Sequence, residues 1–454
     1  MRSILSTCLV LAVAACGSTK GGGDGDGGNT NPDACAGLEC QVVDCNAMGQ
    51  PPTTLTGTVY APNGTLPLNG VNVYVPREPL PPFNEGAECT RCETSLPGSP
   101  IAQAVSDAEG KFRIENVPVG ADIPLVITTG KWRRVVTLPN VSQCEDNALG
   151  MADTRLPKNK AEGDIPKIAI TTGNADTMEC LARKLGIEDA EITNNAGAGR
   201  IHLYAGNGVS TFKNGYAGGS GQTISGAQPF WESLDTLKQY DIVILSCEGS
   251  QRPATKPQMA LDNMKAYADV GGRVFASHWH NIWIGGNFTG NPSLAPAVWP
   301  AIGIDWGSQG NFQTGIDVID QISNPKGSLF AQWMTFVGGS PTTPGELPVT
   351  EFRVTVDDID PAKAERWVYT KGGGNVPADK PQMFQFTTPN EVASDQRCGK
   401  VVFTDMHVSG QSQSGGNPYP DNCVGGANNL ALTPQEKALA FMFFDIAGCV
   451  GQIF

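Results

Sequence analysis

The sequence predicts two unlike halves, an N-terminal all-β sandwich followed by a three-layer α/β domain, and three observations predict them. Short apolar or alternating runs bounded by Gly, Pro and Asn crowd residues 55–138, the pattern of a small antiparallel sandwich. Beyond residue 165, buried apolar runs alternate with helical periodicity, the pattern of a sheet covered on both faces. At 454 residues and 40% hydrophobic content, the chain is long enough to bury both cores.

The chain opens on an address. Arg2 supplies a positive charge, residues 4–15 form an apolar stretch too short to span a bilayer, and Val13, Ala14 and Ala15 lead into Cys16. This pattern resembles the bacterial lipobox. The resemblance implies a signal peptide over 1–15, lipidation of the Cys16 thiol, export to the cell envelope and a membrane partner held through the lipid. Gly17 and Ser18 follow the cysteine without an Asp, as in lipoproteins sent on to the outer membrane. An ordinary secretory signal cut near Ala15 would export the chain as well. Residues 16–34 are Gly-rich, cannot bury a core and read as a flexible tether. The net charge of -14 argues against nucleic acid as a partner.

Cys8 and Cys16 belong to the leader, so 11 of the 13 cysteines remain after it. An oxidising compartment favours disulfides, and an odd count leaves at least one thiol unpaired within the chain. Cys35, Cys40 and Cys45 make residues 35–52 a Cys-rich segment that reads as a disulfide-tied knot. Closest spacing suggests Cys423 or Cys398 as the partner of Cys449. Cys247 follows a buried strand, far from the Cys-rich segments, and is the expected free thiol.

The β domain is placed at 53–150, with strands at 55–60, 71–75, 111–114, 125–128 and 134–138. Gly57, Thr58 and Val59, the Val71, Val73, Val75 alternation, the run Asp107, Glu109, Gly110, Lys111, Phe112, and Val117 to Gly120 resemble the carboxypeptidase regulatory-like domain, a transthyretin-like sandwich. The resemblance implies an accessory spacer or adhesion module. Cys89 and Cys92 fall in an insertion over 76–104. No thioredoxin-like strand and helix surround them, which favours a structural role. A polar linker is expected at 151–164.

The α/β domain is placed at 165–454, and residues 240–281 are its centre. Asp241 and the apolar run behind it form a short buried strand that stops at Ser246, Cys247, Glu248 and Gly249. Thr255 and Gln258 read as a capping box, with Ala260, Leu261, Met264, Tyr267 and Ala268 on one helical face and Gly271 and Gly272 as the stop. A second strand from Arg273 runs into Ser277, His278, Trp279, His280 and Asn281. Further strands are expected at 167–172, 366–369, 383–386 and 400–404, the last leading into Asp405, Met406 and His407. Thr433, Pro434 and Glu436 mark the start of the last helix.

The stretch 240–278, with its Gly-Gly, strand and histidine, resembles the class I glutamine amidotransferase-like fold, particularly its trehalose-utilisation-protein branch. Residues 400–407 resemble the strand that delivers that family's second active-site histidine. The resemblance implies a flavodoxin-like domain over 165–454. It also implies a nucleophilic cysteine at the elbow where this chain has His278, so glutamine hydrolysis is not expected here.

Ligands of open α/β sheets sit outside the carboxyl ends of the strands, where His278, His280 and His407 fall with Cys247, Glu248 and Asp405. If the strand extends, His278 and His280 share a face. Imidazoles converging with a thiolate or carboxylate suit zinc, which activates water. Cys247 could instead act as a nucleophile with His407 as base. Trp279, Trp283, Trp299 and Trp306 gather near the same edge, and aromatic faces suit sugar rings as well as cores. Serine chemistry has little support, because Gly410, Gln411, Ser412, Gln413 and Ser414 have no strand leading into them. His202 reads as structural. Two functions stand open: an anchored binding or scaffold lipoprotein holding a carbohydrate or protein ligand, and an exported hydrolase, metal-assisted or thiol-dependent, with Cys247, Glu248, His278 and His407 as its catalytic residues.

Overall fold

The computed structural model describes residues 37–92, 95–286, 298–299, 302–306, 313–408 and 417–451. Cys16, the tether and the stretch 410–414 lie outside the described residues.

Seven strands come from the first third of the chain: β1 (Thr54–Thr58), β2 (Asn72–Pro76), β3 (Pro100–Val105), β4 (Lys111–Glu115), β5 (Ile123–Thr129), β6 (Trp132–Leu138) and β7 (Asp146–Ala148). They form two sheets, ordered β4-β1-β7 and β3-β2-β5-β6. Leu55, Phe112 and Ile114 of the first and Val73, Val75, Leu125 and Ile127 of the second are buried in one cluster. Five of the seven lie where alternation placed strands. β3 runs through the expected insertion with weakly alternating, half-exposed residues, and β7 is three residues long, so neither carries a periodic signal.

Twelve strands follow: β8 (Ile168–Thr172), β9 (Ile192–Asn194), β10 (Ile201–Ala205), β11 (Ile242–Leu245), β12 (Arg273–Ser277), β13 (Gly303–Trp306), β14 (Gln313–Ile319), β15 (Glu346–Phe352), β16 (Val356–Ile359), β17 (Glu365–Thr370), β18 (Pro381–Thr388) and β19 (Gly399–Thr404). Ten of them make one mixed sheet, ordered β15-β14-β17-β18-β19-β12-β11-β8-β10-β9, while β13 pairs with β16. Pairing is parallel from β9 to β19 and antiparallel from β19 to β15. Taken in chain order, β8, β10, β11, β12 and β19 stand 2-1-3-4-5 across the sheet, the flavodoxin-like order, with its switch point between β8 and β11.

Alternation sorts the parallel strands onto two faces. Ile168, Ile170, Ile242, Ile244, Phe275 and Val402 face a core shared with the helices Met178–Lys184, Gly327–Phe336 and Pro434–Asp445 and with the two small sheets. Ala169, Val243, Leu245, Val274, Ala276 and Phe403 face the helix Gln258–Asp269. That helix buries the five predicted apolar residues, but its start differs from the expected capping box. Pro257 disfavours helical backbone at Lys256, so the helix begins after the proline and Thr255 instead donates its hydroxyl to the Arg252 carbonyl at 3.0 Å.

Residues Gly37–Phe454 form one compact unit. Trp132 packs its ring against Phe443 and Phe444, Trp333 donates to the Pro67 carbonyl at 2.8 Å, and Thr154 and Leu156 within 151–164 are buried. Two of the disulfides, from Cys89 and Cys92, cross the joint. Cys45 bonds to Cys144, Cys89 to Cys398, Cys92 to Cys449 and Cys180 to Cys423. Cys40 is also disulfide-bonded. The pairing of Cys449 with Cys423 or Cys398 is therefore overturned, and Cys45 reaches outside the 35–52 segment to Cys144. Proximity in sequence does not decide a bridge; the turn carrying Cys89 and Cys92 reaches the base of β19 and the end of the last helix. Cys247 is the free cysteine among the described residues.

The last helix has the expected capping box, and Glu436 also meets Lys184 at 2.6 Å in a pair that is almost fully buried. At its other end Asp445 lies 2.6 Å from Lys326 and 3.1 Å from Lys400. Burial raises the Asp445 carboxyl, but the two ammonium groups outweigh it and hold the group below the usual aspartate range. A carboxyl depressed on folding adds stability above its unfolded value, about pH 4, and loses it as the pH falls below. Thermal unfolding followed by circular dichroism should show a falling Tm below about pH 4. Asp445→Asn should lower stability by about 3 kcal/mol at neutral pH, because Lys400 stays buried without its counter-charge, and should flatten that acid limb.

Candidate functional site

The carboxyl ends of β8, β11, β12 and β19 converge on one edge of the sheet, because parallel register carries all four strands to the same level. The β8 end can approach β11 closely only because residue 173 is glycine. A Cβ on Gly173 would stand 2.1 Å from the Cys247 carbonyl oxygen and 2.6 Å from that of Ser246. β12 ends at Ser277, and residues His278–Asn281 turn at once into a 3-10 helix. His278 has φ +40°, a left-handed corner that disfavours a side chain by roughly 1–2 kcal/mol.

The corner brings His278 onto Cys247, with Nδ1 3.3 Å from Sγ. His407, from the end of β19, packs beside it at a tilt of 55° with ring centroids 5.2 Å apart. The ligand atoms of Cys247, His278 and His407 all lie within 4.8 Å of one another, and all three residues are buried. One carboxylate braces both histidine segments. Asp176 accepts from the Ser277 hydroxyl, from the Val408 amide at 2.8 Å and from the Thr177 amide at 2.8 Å. Gln435 donates to the His407 carbonyl, fixing that backbone further.

Burial pushes the Cys247 thiol well up, against the opposing pull of the Trp279 and Gly249 amides. Burial likewise holds the His407 imidazole well below its usual value, and the neighbouring His278 and Arg353 add to the effect. The thiol is therefore held neutral, as is the His407 imidazole, which is poor nucleophile chemistry. The expected pairing of Cys247 with His407 gains a second imidazole, since His278 lies at 3.3 Å from the thiol. β12 is the neighbour of β11, which sets the His278 imidazole in hydrogen-bonding reach of the thiol, and His407 arrives from β19, one strand further.

The remaining predicted site residues are engaged outside the three-residue cluster. His280 does not share a face with His278, because the strand ends before both. Its Nδ1 accepts from the Trp283 indole at 2.9 Å, so its Nε2 carries the proton and donates to the Ser246 carbonyl at 2.8 Å; both nitrogens are committed. Glu248 forms a buried ion pair with Lys256. Asp405 accepts from the Thr355 amide and hydroxyl, both at 2.8 Å, and burial pushes its carboxyl up to about 7 against those bonds. His202 is structural as expected: Tyr240 donates to its Nδ1 at 2.7 Å, and its Nε2 meets the Gly199 carbonyl at 3.1 Å. Trp283 and Trp299 are buried in the core, and Trp306 packs on Phe384 and Phe403.

Above the cluster a crevice of about 280 Å³ opens at the switch point, lined by Asn174, Glu248, Arg252, His278, Trp279 and Arg353 among others. Another groove, of about 260 Å³, lies near Lys131 and Asp241 at the opposite, amino end of the strands, away from the histidines. Asp176, Asn174 and Arg353 were not anticipated. The first two follow a buried strand, a position that marks this edge as clearly as the one after β11 does. Arg353 follows β15, an antiparallel strand with no such signal.

No protein-family model matches the sequence, and no curated protein matches it. Among solved structures, the chain is similar to a ThuA-like protein from Bacteroides uniformis at 11% identity and TM-score 0.29, covering 53% of this chain and 80% of that one. It is also similar to a cytoplasmic protein from Salmonella typhimurium at 11% identity and TM-score 0.31, covering 62% and 98%. A cohesin–X-dockerin complex from Acetivibrio cellulolyticus matches at 16% identity and TM-score 0.17, covering 30% and 84%. Likenesses at this level leave fold and function to the chain's own residues.

Iodoacetamide should leave Cys247 unreacted in the native chain and label it once denaturant is added without reductant, as peptide mass spectrometry would record. Rapid labelling of the native chain would contradict the burial of the cluster.

Proposed function

We propose that this chain is an envelope-anchored binding lipoprotein whose amidotransferase-like domain lacks the elbow cysteine and holds a small polar ligand, a carbohydrate in the first instance, in the switch-point crevice. The observation that carries this reading is the crevice itself, since open α/β sheets bind ligands outside the strand ends where the order reverses. Its lining suits a hydroxylated ligand. Trp279 supplies an aromatic face, Asn174 an amide and Arg252 and Arg353 cationic donors. The amidotransferase-like assignment is supported by the 2-1-3-4-5 order and by the left-handed corner at His278, where that family carries its nucleophile. A neutral, buried thiol favours binding over thiol-dependent hydrolysis.

The anchor is the Cys16 thioether, and the Gly-rich tether gives the compact unit reach from the membrane. The two small sheets serve as the accessory module of carboxypeptidase regulatory-like type, joined to the binding domain by the Cys89 and Cys92 bridges.

A saccharide array followed by titration calorimetry tests the crevice. Trp279→Ala and Arg252→Ala should each weaken the retained sugar about tenfold, equivalent to 1.4 kcal/mol. Retention of no saccharide, or binding that ignores both substitutions, would sink the carbohydrate reading. For the anchor, Cys16→Ala should move the protein from the membrane fraction to the soluble periplasmic fraction; an unchanged membrane fraction would remove the lipid.

A further inference from the structure

We infer that Cys247, His278 and His407 form a zinc site of three protein ligands beneath the crevice, with its fourth position toward the cavity. The three ligand atoms lie within 4.8 Å of one another, and the Cys247 sulfur stands 3.3 Å from the His278 Nδ1. Zinc bond lengths of about 2.0–2.3 Å in tetrahedral geometry place ligand atoms about 3.3–3.8 Å apart. The cluster therefore needs only a small inward closure of His407.

The donor set is chemically selective. One thiolate and two imidazoles suit zinc, whereas magnesium and calcium take oxygen ligands. The neighbouring oxygen donors are already engaged, Glu248 by Lys256 and Asp405 by Thr355, and both nitrogens of His280 are committed. The three residues are selected by geometry, since their ligand atoms are the ones that converge.

The cluster has the support a metal site requires. Asp176 braces Ser277, which precedes His278, and Val408, which follows His407, so one carboxylate holds the two ligand-bearing segments in register. That carboxylate also offsets the positive charge left when one thiolate meets a dication. On binding, the Cys247 sulfur–hydrogen bond breaks, the proton leaves to solvent and the sulfur lone pair becomes the metal bond. Of the three ligands only His278 lines the crevice, so the open position faces that side, where a bound ligand or water can reach it.

The site does not depend on the carbohydrate reading, and the two fail separately. The test uses the oxidised chain from Asn29 onward, which retains the whole compact unit. After zinc loading and dialysis, elemental mass spectrometry should find about one zinc per chain. Cys247→Ser and His407→Gln should each lose at least nine-tenths of it, while Arg252→Ala, which alters only the crevice, should keep it. Cobalt substituted into the unaltered chain should give a tetrahedral spectrum with a near-ultraviolet thiolate-to-metal band, a readout independent of whether any variant folds. A chain without zinc after loading, zinc retained by Cys247→Ser, or a cobalt spectrum without the thiolate band would overturn the proposal.

Discussion

Parallel register is the constraint on which the rest of this structure depends. Hydrogen bonding sets Leu245 opposite Ala276 and Ser277 opposite Thr404, so the residues just beyond three consecutive strands arrive at one height. Cys247, His278 and His407 are 31 and 129 residues apart along the chain, yet they meet because each stands one to three residues past a strand end. A shift of one residue in any pairing would turn every side chain of that strand to the other face and take the cluster apart.

Burial then decides the chemistry of what register assembles. The same thiol and imidazoles on an exposed loop would titrate freely and react. Buried at the strand ends, the Cys247 thiol and the His407 imidazole are held neutral, and charged groups beside them are compensated, as Glu248 is by Lys256. Sidedness is just as consequential. The opposite end of the strands carries Lys131 paired with Asp241 at 2.6 Å, an ion pair that ties the small sheets to the base of β11 and leaves the carboxyl edge open.

The two small sheets are part of the architecture of the α/β unit. Their core merges with one face of the large sheet, and Trp132 and Trp333 fill the joint. Two disulfides, from Cys89 and Cys92, then reach 309 and 357 residues ahead. Bridges across such long loops restrict the unfolded chain strongly, and they fasten β19 and the last helix, the elements that set His407.

By itself, the sequence determined the elements and the edge at which chemistry could gather. Apolar runs ending in polar residues located β8, β11, β12 and β19, and the helical spacing of Ala260, Leu261, Met264, Tyr267 and Ala268 named a buried face, because both signals are local. The isolation of Cys247 from the other cysteines marked it as the free thiol for the same reason. Only the tertiary structure decided which candidates meet. It put His280 on the Ser246 carbonyl, Glu248 on Lys256 and Cys449 on Cys92, and it recruited Asp176 and Arg353. Those outcomes turn on where a strand stops, on a left-handed corner at His278 and on partners hundreds of residues away. Spacing along a chain carries no record of such distances, because packing and register set them after the strands have formed.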